Sequence, residues 1–192
     1  MFQVRIHGRG GQGVVSGAEM LSVAAFIEGR YAQAFPSFGS ERMGAPVMAF
    51  CRIDDKEIRL REPVLTPDAL IIQDPTLLHQ VDLFQGLHAG GYIHINSTRS
   101  FAELGLAEFA HGFHHDRLRT VAATELALKH VGRPVPNAAL LGGFAAMSRQ
   151  IKLESLIAAI RDKFPRVIAD KNIAAATEAH ELVCRSMEVA VA

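Results

Sequence analysis

Gly8, Gly10 and Gly13 fall at the spacing G-x-G-x-x-G, with Arg9, Gly11 and Gln12 between them. Glycine at such positions permits a tight turn and lets backbone N–H groups approach an anion. Arg9 and Gln12 add side-chain donors to a stretch already rich in backbone N–H. The chemistry this suggests is the cradling of phosphate oxygens. A dinucleotide site also needs an acidic residue about 20 positions on, at the end of the second strand, to hold a ribose. That strand would span 31–35 and ends in Pro36-Ser37-Phe38-Gly39, with Glu28 before it and Glu41 well beyond. The ribose anchor is therefore missing. Three readings of the loop stand at this point: a nucleotide site, another anion site, or glycines that only close a strand-to-helix turn.

Other residues invite chemistry less strongly. Arg42, in Ser40-Glu41-Arg42-Met43-Gly44, could pair with a phosphate or carboxylate through its planar fork, or simply with Glu41 at the surface. His111, His114, His115 and Asp116 include metal-binding types, but no matching second ligand cluster accompanies them, and a solvated loop is the expected setting. No metal site is assigned. The two cysteines, Cys51 and Cys184, are far apart and cannot supply the four thiolates of an iron–sulfur cluster. No nucleophile–base set can be assembled from spacing, so no catalytic residue is assigned. Phe35, Phe38, Met43, Met48 and Phe50 gather large apolar groups in one stretch, as core or, if exposed together, as a partner interface.

The loop must be held by the elements around it. Residues 2–7 alternate apolar and polar side chains and predict a strand; after the loop, Val14, Ala18, Leu21 and Ala25 recur at helical spacing until Gly29. Residues 47–53 and 57–60, separated by Asp54-Asp55, predict a hairpin. Short strands are expected at 69–72, with Pro75 opening a helix, and at 91–96. The last third predicts helices at 121–131, at 138–147 with Asn137 as cap, from Leu153 to a stop at Pro165, and at 172–187. The expected fold is α/β: a single Rossmann-like domain over 1–192 with a mostly parallel sheet flanked by helices and a helical C-terminal third.

The chain has 192 residues with 20 basic and 20 acidic side chains, so it carries no net charge to attract nucleic acid or an anionic membrane. Trp is absent, which weakens any base-stacking role. Neither a membrane-length apolar run nor a signal-like amino end is present, and the expected compartment is the cytoplasm.

The hexapeptide Gly8-Arg9-Gly10-Gly11-Gln12-Gly13, followed by Phe35-Pro36-Ser37-Phe38-Gly39-Ser40-Glu41-Arg42-Met43-Gly44-Ala45-Pro46, resembles the γ subunit of the 2-oxoacid:ferredoxin oxidoreductases, most closely the pyruvate type. Asp74-Pro75-Thr76-Leu77-Leu78, Asn96-Ser97, Pro136-Asn137 and Leu141-Gly142-Gly143 agree with it, while Met43 departs from the usual basic or small residue. The resemblance implies a subunit without catalysis of its own. Thiamine diphosphate and Mg²⁺ would lie in other subunits (α and β), [4Fe–4S] clusters in a ferredoxin-like δ part, and ferredoxin would accept the electrons. The complex would oxidatively decarboxylate pyruvate or another 2-oxoacid to an acyl-CoA, with Gly8 to Gly13 and Arg42 near coenzyme A. The rival is a free-standing nucleotide- or dinucleotide-binding α/β protein.

Overall fold

A computed structural model describes residues 1–37 and 43–189. Alternation on the first strand, β1 (Phe2–Arg9), separates two faces: Val4 and Ile6 enter the main core, while Arg5 and His7 point the other way. The remaining elements are α1 (Val14–Ile27), β2 (Tyr31–Pro36), β3 (Pro46–Asp54), β4 (Ala69–Ile72), a 3-10 turn at Pro75–His79, β5 (Tyr92–Asn96), α2 (Ala107–Ala110), a second 3-10 turn at His115–Arg117, β6 (Leu118–Val121), α3 (Ala123–His130), α4 (Asn137–Ser148), α5 (Leu153–Lys163) and α6 (Arg166–Val189). The sheet runs β2-β3-β1-β4-β5-β6. β1, β4, β5 and β6 pair in parallel, and β3 is antiparallel to both of its neighbours. The fold is thus the expected α/β sheet, mostly parallel, with one antiparallel strand inserted beside β1.

That insertion corrects the expected hairpin. Residues 57–60 form no strand, because both edges of β3 are already taken. Val47, Ala49, Cys51 and Ile53 face the core, whereas Leu60 is exposed. The buried Arg52 guanidinium instead ties this segment down, donating to the carbonyls of Glu62 at 2.6 Å and Pro63 at 3.4 Å.

The core lies on the helical side. α4 is buried along its whole length, wrapped by α6, α5 and α3 and set against β5. A Cβ on Gly142 would stand 2.0 Å from the Ala176 carbonyl oxygen, and one on Gly143 would stand 2.6 Å from the His94 ring. The Leu141-Gly142-Gly143 motif is therefore a packing device that lets α6 and β5 close on α4. On the other face, Leu77, Leu83 and Leu104 cover Ile72, Ile93 and Ile95, aided by the short helical turns.

Three helix expectations shift. Val121 ends β6, paired with Asn96, so α3 starts at Ala123. The four-residue β6 is too short for its alternation to stand out beside the Ala/Leu-rich run that follows. Asn137 is the first residue of α4 rather than its cap. Pro165 precedes the longest helix, α6, as well as closing α5, since proline is tolerated at a helix start. Among the described residues no helix is long and apolar enough to cross a membrane.

Candidate functional site

The glycine loop leaves the carboxyl end of β1, the edge at which open α/β sheets bind ligands. It does not wander, because its backbone stays clamped to the segment leading into β3. Gly10 N–H donates to Ala45 O at 2.9 Å, and Gly44 N–H donates to Gly10 O at 3.2 Å. Gly11 (φ 94°) and Gly13 (φ 73°) then turn the chain through left-handed conformations that side-chain-bearing residues rarely adopt. Gly13 occupies the cap position of α1 and offers no side-chain acceptor.

Side chains lock the loop from beneath. Gln12 Oε1 accepts the Arg9 N–H at 2.8 Å, and Gln12 Nε2 donates to Asp74 Oδ2 at 2.9 Å. The Arg9 guanidinium reaches Asp74 Oδ2 (3.2 Å), Gly44 O (3.0 Å), Thr76 Oγ1 (2.8 Å) and Gln80 Oε1 (2.8 Å). Asp74 also accepts the Thr76 N–H at 3.0 Å and the Thr76 hydroxyl at 2.6 Å, capping the 3-10 turn. Burial pushes the Asp74 carboxyl up, but the hydrogen bonds from Thr76 and Gln12, with Arg9 beside it, outweigh that and hold it below the usual carboxylate range. Arg9 and Gln12 therefore spend their donors shaping the loop.

What the loop presents outward is backbone. Among the described residues, no acceptor meets the N–H groups of Gly11, Gly13, Val14, Val15 or Ser16. Unpaired N–H groups at a helix start, with the positive end of the helix dipole behind them, favour an anion. The start of α4 converges on the same place, since Asn137 Nδ2 donates to Gly13 O at 3.2 Å. Further along the same edge, a crevice of about 330 Å³ is lined by Pro75, Asn96, Ser97, Arg99 and Thr124.

The sequence-predicted loop residues Gly8, Arg9, Gly10, Gly11, Gln12 and Gly13 are thus brought together. Arg42, with Phe38, lies outside the described residues. The apolar set divides: Phe50 is buried against Phe35, Met48 lines a cleft with Arg5 and His7, and Met43 is 86% exposed beside Gly11. Sequence reasoning missed the Asp74 hub, although an Asp before Pro-Thr at a helix start was a readable capping signal. It also missed Gly44 and Asn137 as loop anchors, which join it only through tertiary contacts.

Two other groups carry less. The ligand atoms of His114, His115 and Asp116 lie within 4.8 Å of one another, but both imidazoles are exposed and Arg119 Nη2 stands 3.7 Å from the carboxylate. They precede β6, at the opposite end of the parallel strands from the loop. Cys51 is buried and Cys184 half-buried, both free, and burial pushes the Cys51 thiol far up. The pair does not fit an iron–sulfur cluster.

A dinucleotide reading also loses its topology. β3 runs antiparallel between β1 and β2, so β2, which ends at Pro36, is not the neighbouring strand that would present a ribose-binding carboxylate.

Residues 3–182 match the family described as pyruvate ferredoxin/flavodoxin oxidoreductase. The chain is 44% identical over 181 residues to the pyruvate synthase subunit PorC of Methanothermobacter marburgensis, covering 94% of this chain and 97% of that one. It is 45% identical to the pyruvate/ketoisovalerate oxidoreductases common subunit gamma of Pyrococcus abyssi, covering 94% and 96%. The crystal structure of the pyruvate oxidoreductase subunit PORC from Thermotoga maritima aligns with a TM-score of 0.78 at 33% identity, covering 94% and 95%.

Proposed function

The chain belongs to the pyruvate ferredoxin/flavodoxin oxidoreductase family, and from that membership we propose that it serves as the γ subunit of a cytoplasmic pyruvate:ferredoxin oxidoreductase. In this reading α and β subunits hold thiamine diphosphate and Mg²⁺, a ferredoxin-like δ subunit holds the [4Fe–4S] clusters, and ferredoxin takes the electrons. Thiamine diphosphate, bound in those partners, supplies the decarboxylation. The relatives that it matches are named as subunits, which supports a supporting role for this chain. The Pyrococcus relative is named as common to pyruvate and ketoisovalerate enzymes, which supports placing the choice of 2-oxoacid in other subunits.

This chain's own task in the proposal is to hold coenzyme A by its phosphates. The observation that carries it is the uncapped start of α1. The N–H groups of Gly11, Gly13, Val14, Val15 and Ser16 lack acceptors among the described residues, on a loop that Arg9, Gln12 and Asp74 keep in one shape. A preorganised set of donors binds an anion without the cost of ordering the loop at each encounter. Gly8 and Gly10 serve the shape, Gly11 and Gly13 the turn, and on sequence grounds alone Arg42 is included as a further cation for the same anion.

The test is the Michaelis constant for coenzyme A in the assembled enzyme. Hydrogen bonds to charged groups contribute about 1.5–3 kcal/mol each, so distorting the loop should weaken binding roughly tenfold or more. Arg9→Ala, which releases Asp74, Thr76 and Gln80, should raise the KM for coenzyme A more than it lowers kcat. Gly10→Val should act more severely by forcing a β-branched side chain into the clamped turn. If both variants impair assembly but leave that KM unchanged in the complex that forms, the loop is a subunit contact and the coenzyme A assignment falls.

A further inference from the structure

Gln73 follows β4 and is held at both backbone ends: its N–H donates to His7 O at 2.7 Å, and its carbonyl accepts from Asn96 Nδ2 at 2.8 Å. Two positions after Ile71, its side chain shares the helical face of the sheet. A Cβ on Gly17, in the first turn of α1, would stand 3.4 Å from Gln73 Nε2 and 3.7 Å from the Asn137 Cβ. The amide therefore sits where the starts of α1 and α4 meet. Gln73 is only 2% exposed. Its Oε1 is buried without a hydrogen-bond partner among the described residues.

Buried side-chain amides nearly always find partners, and one that does not calls for an explanation. A Leu or Met of similar size would avoid the cost of leaving a polar group unmet. Asn96, Thr124 and Asn137 close by are engaged: Asn96 Nδ2 donates to Thr124 Oγ1 at 2.7 Å and Asn137 Nδ2 to Gly13 O at 3.2 Å. Gln73 alone in this group has a buried polar atom without a partner among the described residues.

We propose that Gln73 is a ligand-contacting residue of the loop site, its amide donating Nε2–H to an anionic phosphate oxygen held at the start of α1. The inference rests on the coenzyme A reading and adds to it a donor that comes from β4 rather than from the loop. It also gives the sequence Gln73-Asp74 a divided role: Asp74 shapes the loop from one side, and Gln73 meets the ligand from the other. The ligand then takes up the donor half of the amide, while the buried Oε1 stays unmet.

The experiment uses the assembled oxidoreductase with Gln73→Leu, Gln73→Glu and, in parallel, Gly10→Val, each read as KM for coenzyme A, kcat and thermal midpoint. Gln73→Leu should raise the KM roughly tenfold, the loss of one hydrogen bond to a charged acceptor. Its thermal midpoint without coenzyme A should stay level or rise, since an unmet buried amide has been removed. Gln73→Glu keeps the shape but places a negative charge beside the anion, and its KM should rise further than that of the Leu variant. A KM within twofold of the parent in both Gln73 variants, with Gly10→Val still raising it, would overturn the Gln73 assignment and leave the loop reading standing. A Gln73→Glu effect smaller than that of Gln73→Leu would overturn the anionic acceptor. If none of the three variants moves the KM, the coenzyme A reading fails and this inference with it.

Discussion

His7 and His94 are buried on opposite faces of the sheet, and each is forced to stay neutral. Burial lowers the His94 pKa to about 4, outweighing the opposing effect of the Arg119 and Leu140 backbone beside the ring. Burial, with the Arg5 guanidinium beside it, lowers His7 to about 3; Arg5 Nε donates to His7 Nε2 at 3.1 Å, which places the imidazole proton on Nδ1. Both pKa values are depressed below the unfolded value of 6.5, so the unfolded chain binds protons that the folded chain refuses. Stability should be flat above about pH 7 and fall as pH drops below 6.5, with a slope approaching about 1.4 kcal/mol per pH unit for each histidine. Urea midpoints at pH 7, 6 and 5 measure this, and His94→Leu should remove about half of the slope between pH 6 and 5. An unchanged slope in that variant would mean that His94 titrates normally. At this scale the sequence was half legible. The loop residues announced themselves by type and spacing, whereas Gln12 meets Asp74 across 62 positions, a contact that no local pattern encodes.

Among the elements, α4 bears the greatest packing load, since it is enclosed on every side and cannot shift without disturbing α6 and β5. Gly142 sets how closely α6 approaches. Gly142→Ala would drive a methyl group into the Ala176 carbonyl, and because that obstacle is backbone, the helices themselves must separate. Overpacking of this kind costs typically 1–3 kcal/mol. Gly132→Ala is the control: no atom lies within 4 Å of its Cβ position, so only the left-handed φ of 79° opposes it. Thermal denaturation should show Gly142→Ala as the more damaging of the two, and the reverse order would contradict the close α4–α6 approach. Elements with strong periodicity were readable in advance: α1 through its recurring apolar positions, and α5 through Leu153, Leu156 and Ile160. Those fixed by distant partners were not. β3 paired with β1 and β2 instead of with residues 57–60, and β6 became a strand only because β5 offers it a parallel edge.

At the scale of the molecule, the chain has a polar, donor-rich edge at the carboxyl ends of its parallel strands and a helical core behind it. The relatives it matches are themselves named as subunits. The family was legible from two motifs because they carry unusual backbone demands. The loop needs left-handed glycines, and the segment ending in Gly44-Ala45 must clamp Gly10. Turnover should therefore depend on the whole assembly: partners without this chain, or this chain without partners, should not complete the reaction. The direct measurement is pyruvate- and coenzyme A-dependent ferredoxin reduction by the partner subunits reconstituted with and without it. Acetyl-CoA-forming turnover is expected only when all subunits are present, and none from this chain supplied with thiamine diphosphate and Mg²⁺. Full turnover by the partners in its absence, or any turnover by this chain alone, would contradict it.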